Sequence, residues 1–291
     1  MKECIICRKE TKRDDFSVEH VIPEALGGNY TIKSVCRECN SFLGKRIDSG
    51  LVNNLFSDIM RYKKQLPGKT GKIPTPLSGV FKDQANRNIK VRIKYSTNNE
   101  IIHEVLPIPQ MEKDKNGNIK NILISCNEHN ISNKDECIEK LLKRHDLYKE
   151  KTGITSIEKE LLPHHTTQTH EINWGKIAIG LLKIAYEFTV NQITEYYGSC
   201  DARMISKILL NNDLSSAYNA MQKDPIIGID KKTYNIHWVT LGCFDQRLHC
   251  HIAIDELFDT FFIMSNQCYE IDKDISLFNF IGKNYEIRIG Q

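Results

Sequence analysis

No stretch of the chain reaches the about 18 consecutive apolar residues of a transmembrane helix. The first residues, Met1-Lys2-Glu3-Cys4, lack the apolar run of a secretory leader. Internal repeats and low-complexity tracts are also missing. A large net charge is absent too, since 40 Lys/Arg against 37 Asp/Glu leave +3. Hydrophobic residues at 40% and charged residues at 26% are ordinary globular values, which excludes wholesale disorder. At 291 residues the chain is long enough for one large domain or two ordinary ones. Together these absences predict a soluble, cytoplasmic protein.

What charge there is lies unevenly. Residues 1–72 carry 14 Lys/Arg against 9 Asp/Glu, a balance of +5, and the remainder carries 26 against 28, a balance of −2. A basic first quarter suits a polyanion-facing module, although many solvated faces show a similar excess. Cysteine is not scarce: the chain has ten. Four form two tight pairs, Cys4-x2-Cys7 and Cys36-x2-Cys39, and the other six are scattered. In a reducing compartment the pairs read as metal ligands and the scattered residues as small buried hydrophobes.

Residues 1–48 are basic, cysteine-rich and too short to fold without a staple. From Leu51 to Leu66 apolar residues recur at helical spacing and end at Pro67-Gly68. The Gly/Pro/Lys/Thr-rich segment 68–79 predicts a boundary. It divides a module at 1–68 from an α+β domain at 80–291 that serves substrate recognition or dimerisation. Residues 80–125 read as strands, with Lys90, Arg92 and Lys94 on one face, either touching phosphates or simply solvated. Asn116-Gly117 predicts a hairpin joining the runs 101–108 and 119–125. Helices are expected over 133–150, from Trp174 to about Tyr197, and over 201–211 and 214–222. The second of these is apolar over so much of its surface that it should be central. Strands are expected near 234–241, 247–254, 258–264 and 284–289. The fold class is α+β.

Two Cys-x2-Cys pairs separated by 28 residues can close a tetrahedral Zn²⁺ site. A site with four thiolates leaves no open coordination position, so this metal is structural. Between the pairs, Phe16-Ser17-Val18 leads into Glu19-His20. Then come Val21-Ile22-Pro23, the turn Gly27-Gly28-Asn29 and a second short strand into Cys36. Asn40 directly follows the last paired cysteine and opens a polar helix containing Lys45 and Arg46. The two knuckles therefore pin a hairpin and a helix together and bring Glu19, His20 and Asn40 close.

This constellation resembles the HNH endonucleases, which carry a ββα-metal fold. It is most similar to their zinc-stapled branch, which includes the phage resolvase endonuclease VII. The matching stretches are Glu19-His20-Val21-Ile22-Pro23, Gly27-Gly28, Val35-Cys36-Arg37-Glu38-Cys39-Asn40 and Leu43-Gly44. The resemblance covers residues 3–50, about a sixth of the chain. It implies phosphodiester hydrolysis with His20 as general base and Glu19 and Asn40 as ligands of one catalytic cation. It also implies Cys4, Cys7, Cys36 and Cys39 as zinc ligands. Thr31 stands where many members have the middle Asn, with Asn29 nearby, which affects the bracing of the loop more than the chemistry.

The chemistry of the residues fits these roles. A neutral His accepts a proton at cellular pH. A carboxylate and an amide oxygen select Mg²⁺ or Mn²⁺ over the thiolate-bound Zn²⁺. Lys45 and Arg46 either hold flanking phosphates or are plain solvated charges. Asp48 either joins the metal shell or, better, caps the following helix. The leading expectation is a DNA endonuclease acting on double-stranded or branched DNA, possibly as a homodimer. Restriction, phage defence, mobile-element activity and DNA repair all suit it. Its rivals are an inactive zinc-containing DNA-binding adaptor and an RNA-cleaving enzyme. Two weaker clusters are His164-His165 with His170, read as a polar loop, and His249-Cys250-His251, whose histidines share one strand face. Trp174, Trp238, Phe258, Phe261 and Phe262 are expected in the core.

Overall fold

The computed structural model describes residues 1–82, 88–95, 101–106, 108–116, 119–125, 139, 143, 171–222, 235–255, 257–269, 274–281 and 287–290. The chain forms two compact units, Met1–Pro74 with Glu171–Gln291, and Thr75–His170. The boundary expected over 68–79 lies where the chain leaves the first unit. The structure divides the remainder differently from the expected 80–291 domain, because the chain returns at residue 171 to share one apolar core with the first seventy residues. That core runs from Ile5, Ile6, Ile22, Leu43, Ile47 and Leu51 to Ile177, Leu181, Ile184 and Phe188 without a break.

The first unit opens with β1 (Lys2–Glu3) paired antiparallel to β2 (Glu10–Thr11). The turn between them holds Cys4 and Cys7 and closes through Arg8, whose φ of 57° lies in the left-handed region. β3 (Phe16–His20) pairs antiparallel with β4 (Thr31–Cys36), as the hairpin reading requires. α1 (Arg37–Phe42) continues through a π-helical turn, Leu43–Asp48, into α2 (Ser49–Val52). The helix expected over 51–66 is interrupted at Asn53-Asn54, and α3 spans Leu55–Lys63. Asn54 competes for the backbone there. Its Oδ1 accepts from the Ser57 N–H at 3.0 Å, and its Nδ2 donates to the Leu51 carbonyl at 2.7 Å.

α4 (Trp174–Gln192) is the central helix that its composition predicted, buried from Ile177 through Val190. It packs on the π-helical turn and α2 of the N-terminal module, and on the carboxy-terminal helices and strands. α5 (Cys200–Asn211) and α6 (Leu214–Ala220) follow near their expected places. Next comes an antiparallel sheet of five strands. Its elements are β10 (Ile236–Phe244), β11 (Arg247–Ile254), β12 (Phe258–Ser265), β13 (Ile275–Phe280) and β14 (Ile287–Gly290), ordered β12-β11-β10-β13-β14. Val239, Leu241, Leu248, Cys250, Ile252, Phe258, Phe262 and Leu277 are buried. Phe258 and Phe262 are core residues as expected. Phe261 and Trp238 are only half-buried and neighbour His249 and His251 instead. Among the scattered cysteines, Cys250 is buried as expected, whereas Cys200 is exposed and Cys243 is disulfide-bonded to Cys268.

β13 went unread in the sequence because its inward positions are Leu277 and a buried Asn279, while Phe278 faces outward. The second unit contains a three-stranded antiparallel sheet, β5 (Gly79–Lys82), β6 (Asn88–Tyr95) and β7 (Ile101–Leu106). It also contains a hairpin of β8 (Ile108–Lys113) and β9 (Ile119–Ser125). The run 119–125 therefore pairs with 108–113, not with 101–108. Lys90 and Arg92 are exposed on either side of the buried Val91. The helix expected over 133–150 and the histidines at 164, 165 and 170 fall outside the described residues, residues 139 and 143 apart. No helix among the described residues is long and apolar enough to cross a membrane.

The sheet buttresses the loop between β3 and β4 with buried polar groups. Asn279 Nδ2 donates to the Gly27 carbonyl at 2.9 Å, and its Oδ1 accepts from the Asn29 N–H at 2.7 Å. His237 Nε2 donates to the Leu26 carbonyl at 2.8 Å. Gly28 lies so close to the Ile22 carbonyl that an added Cβ would stand 1.9 Å from its oxygen. Burial holds His237 neutral, with its pKa lowered to about 4 although Asp255 nearby favours the charged form. Lys64, paired with Asp255 at 3.0 Å, opposes protonation as well.

The unfolded histidine titrates near 6.5, so the unfolded chain binds more protons between that pH and about 4. This group's contribution is therefore complete above pH 6.5 and is lost as pH falls towards 4, by about 3 kcal/mol. Urea unfolding at pH 7.5 and pH 4.5 measures it. His237→Gln, which still donates to Leu26 but does not titrate, should flatten that part of the slope.

Candidate active site

The four paired cysteines converge. Their sulfurs all lie within 4.8 Å of one another, and Cys7 and Cys36 are 4.0 Å apart. A tetrahedral zinc with Zn–S of about 2.3 Å separates its sulfurs by about 3.8 Å, so the donor set and spacing are compatible with structural zinc. Among the described residues no other group of His, Cys, Asp or Glu meets the same test. The Cys4 Sγ accepts from the Cys36 backbone N–H at 3.3 Å. Hydrogen bonding from Cys39 outweighs burial and lowers the Cys4 pKa to about 4, while the same contact with Cys4 pushes Cys39 upward.

The knuckles are tied to the helices behind them. The Arg8 guanidinium lies 4.1 Å from the centre of the Tyr197 ring and donates to Ser206 Oγ at 3.1 Å and the Tyr197 carbonyl at 3.0 Å. Tyr186 OH donates to the Ile5 carbonyl at 2.6 Å.

The hairpin carries Glu19 and His20 to the end of β3. Register pairs Phe16 with Cys36 and Ser17 with Val35, then shifts, so that Glu19 faces Ile32 and His20 faces Thr31. The shift places Val18, which is exposed, opposite the two β4 residues Lys33 and Ser34. The extra residue lies in β4, while β3 keeps the ordinary alternation of faces. Glu19 turns inward, only 4% exposed, and His20 stays half-buried. Asn40 Nδ2 donates to the Val18 carbonyl at 2.8 Å, which ties the helix to β3 and leaves the amide oxygen free to accept. Asn29 Nδ2 donates to the Gly27 carbonyl at 3.1 Å, so Asn29 supplies the bracing that Thr31 does not. Lys45 and Arg46 are exposed on the π-helical turn.

Asp48 makes no capping hydrogen bond to α2, contrary to the expectation. Instead its Oδ1 lies 3.4 Å from the Nζ of Lys183 on α4. That ammonium, 0% exposed, donates to Glu19 Oε1 at 2.5 Å and to the His20 carbonyl at 2.8 Å. It lies 3.3 Å from Glu187 Oε2 one helical turn away. Burial disfavours the ammonium, but Asp48, Glu187 and Glu19 more than offset it and keep Lys183 charged. Burial likewise raises the Glu19 and Glu187 carboxyls, the latter well above the ordinary range. Sequence reading missed Lys183 and Glu187 entirely. The one available signal was two charged residues, four apart, inside an otherwise apolar helix.

The remaining candidates do not assemble. His251 Nε2 pairs with Asp259 Oδ1 at 2.5 Å on the half-exposed face of the sheet, and His249 stacks beside Phe244 and Phe261. Among the described residues neither histidine belongs to a cluster of three or more groups that could hold a metal.

Residues 4–56 match the HNH endonuclease family, a span that holds both knuckles, the hairpin and the helix bearing Asn40. No curated protein and no solved structure matches the chain.

Cys36→Ser should abolish metal binding and unfold the first fifty residues, because zinc affinity in so small a module is folding free energy. Elemental analysis of protein prepared without chelator, alongside circular dichroism, reads both effects. One zinc per wild-type chain and none in the variant is the expected result.

Proposed function

We propose that the protein is a metal-dependent endonuclease that hydrolyses DNA phosphodiester bonds. The observations that support this reading are the match of residues 4–56 to the HNH endonuclease family and the hydrogen bond from Asn40 to Val18, the residue before Glu19 and His20. His20 is the general base, and Glu19 and Asn40 are the oxygen ligands of one Mg²⁺ or Mn²⁺. The residues fit such a cation. Lys183 occupies Glu19 Oε1 and leaves Oε2, and the Val18 contact of Asn40 leaves its amide oxygen. Three carboxyl groups, those of Glu19, Asp48 and Glu187, surround the single ammonium of Lys183. Hard oxygen donors favour Mg²⁺ or Mn²⁺.

When bound, the cation neutralises charge on the phosphate and on the leaving oxygen. His20, half-buried at the end of its strand, takes the proton of the attacking water. Alternation along β3 turns Glu19 inward and its neighbour His20 to the other face, so one short segment supplies ligand and base without competition between them. Lys45 and Arg46, exposed on the same helix as Asn40, bind flanking phosphates, a contact that carries no sequence information and weakens with salt. Double-stranded or branched DNA is the substrate this reading favours. One such centre cuts one strand per event, so concerted double-strand cleavage calls for two chains.

The test incubates the purified, zinc-loaded protein with modified and unmodified phage DNA, and with RNA, in Mg²⁺ or Mn²⁺. His20→Ala should slow DNA cleavage by about 10²–10⁴-fold while zinc content and DNA affinity stay unchanged. A wild-type protein that binds DNA and never cuts it would identify a binding module instead. Cleavage by His20→Ala at the wild-type single-turnover rate would remove His20 from the mechanism.

A further inference from the structure

α4 carries a charged pair in a place where charge is expensive. Lys183 and Glu187 are both 0% exposed, flanked by Leu181, Leu182, Ile184, Ala185 and Phe188. Burying an ammonium costs several kcal/mol before its partners repay it, and an apolar residue of similar size serves stability as well or better. Core packing therefore does not account for the pair. Its contacts do point to a role.

The ammonium meets three consecutive residues at the end of β3: Glu19 Oε1 at 2.5 Å, the His20 carbonyl at 2.8 Å and the Val21 carbonyl at 3.4 Å. Those are the ligand, the base and the residue after them. On its other side it faces Asp48, eight residues beyond Asn40 at the far end of the π-helical turn. A single cation thus touches both elements that supply the site. Among the described residues neither Glu187 oxygen has a hydrogen-bond partner, and its carboxylate lies 3.3 Å from Lys183, a contact that serves to hold that ammonium.

We propose that Lys183 is the positioning residue of this site. It fixes the Glu19 carboxylate by one oxygen so that the other faces the cation, and it anchors the backbone of His20 so that the ring is aimed. Glu187 and Asp48 hold Lys183 in turn. The nuclease centre then depends on a helix 163 positions downstream and outside the span 4–56 that matches the family. The inference rests on the assignment of Glu19, His20 and Asn40 made above. Groups behind a metal ligand typically change metal affinity or activity by about 10–100-fold when removed.

The test uses the full-length, zinc-loaded protein with Lys183→Met, which keeps the length of the side chain, and with Lys183→Met/Glu187→Gln, which also removes the charge left behind. Mn²⁺ binding is measured by calorimetry and electron paramagnetic resonance. Single-turnover DNA cleavage is followed across a Mn²⁺ series, with zinc content and thermal unfolding as controls. The double variant should keep its zinc and a cooperative melt, bind Mn²⁺ about 10–100-fold more weakly, and recover part of its rate in excess Mn²⁺, with DNA affinity unchanged. A folded double variant that binds Mn²⁺ and cuts like wild type overturns the proposal and leaves the nuclease reading standing. Loss of the cooperative melt in both variants also overturns it, because Lys183 is then a structural ion pair. A wild-type protein that neither binds Mn²⁺ nor cuts defeats the nuclease reading itself, and this inference with it. Glu19→Gln run in parallel separates the cases: wild-type Mn²⁺ affinity there removes Glu19 as a ligand, and positioning through it falls too.

Discussion

One buried ammonium links the two ends of the first unit. Lys183 projects from the most apolar helix into the end of the hairpin and meets a carboxylate and two backbone carbonyls. With three carboxyls around one ammonium, the arrangement tolerates burial only because the partners are close and mutually fixed. Everything nearby conforms to it. Glu19 turns inward on β3 to reach it, and Asp48 makes no side-chain cap at the start of α2 and lies beside it instead. α4 must also lie close against the helix, close enough that a Cβ on Gly180 would sit 2.8 Å from that of Leu51.

The same unit repeats the device in neutral form on its other side. The loop between β3 and β4 packs Val21, Ile22 and Leu26 into the core and also contains two adjacent glycines, one with φ of 90°. Asn279 and His237 hold it from the sheet by hydrogen bonds to its backbone. Buried backbone groups require partners, and here side chains from distant strands supply them. Arg8, Tyr186 and Tyr197 do likewise for the first knuckle. The family-matched segment is thus a zinc-compatible core whose loop and first hairpin strand are contacted by residues from 183 to 279.

Much of this was legible in the residues. Spacing of Cys4, Cys7, Cys36 and Cys39 located the metal-compatible cluster, because four thiolates in two knuckles have few other uses. The hairpin and helix between and after the pairs followed from that closure. Uniform apolarity marked α4 as central. β13 was illegible because its inward face carries Asn279 and its outward face Phe278, the reverse of the pattern that betrays a strand. The partner of 119–125 was misjudged because Asn116-Gly117 marks a turn without saying which preceding run closes on it. The break at Asn53-Asn54 was hidden by apolar spacing that stays helical across it.

By itself, then, the amino-acid order determined what is decided locally: which thiols pair, where the hairpin turns, which helix is too apolar to face water. Only the tertiary structure decided which distant groups complete the site. A lone Lys and Glu in an apolar helix, a lone Asn in a strand and an Arg in a turn each look like local misfits. Apart from Lys183 and Glu187, which meet across one helical turn, their partners are distant in sequence, up to 252 positions away. Local periodicity records which way a residue faces, but the partner of a buried polar group depends on which surfaces meet, and that is settled by packing of the whole core.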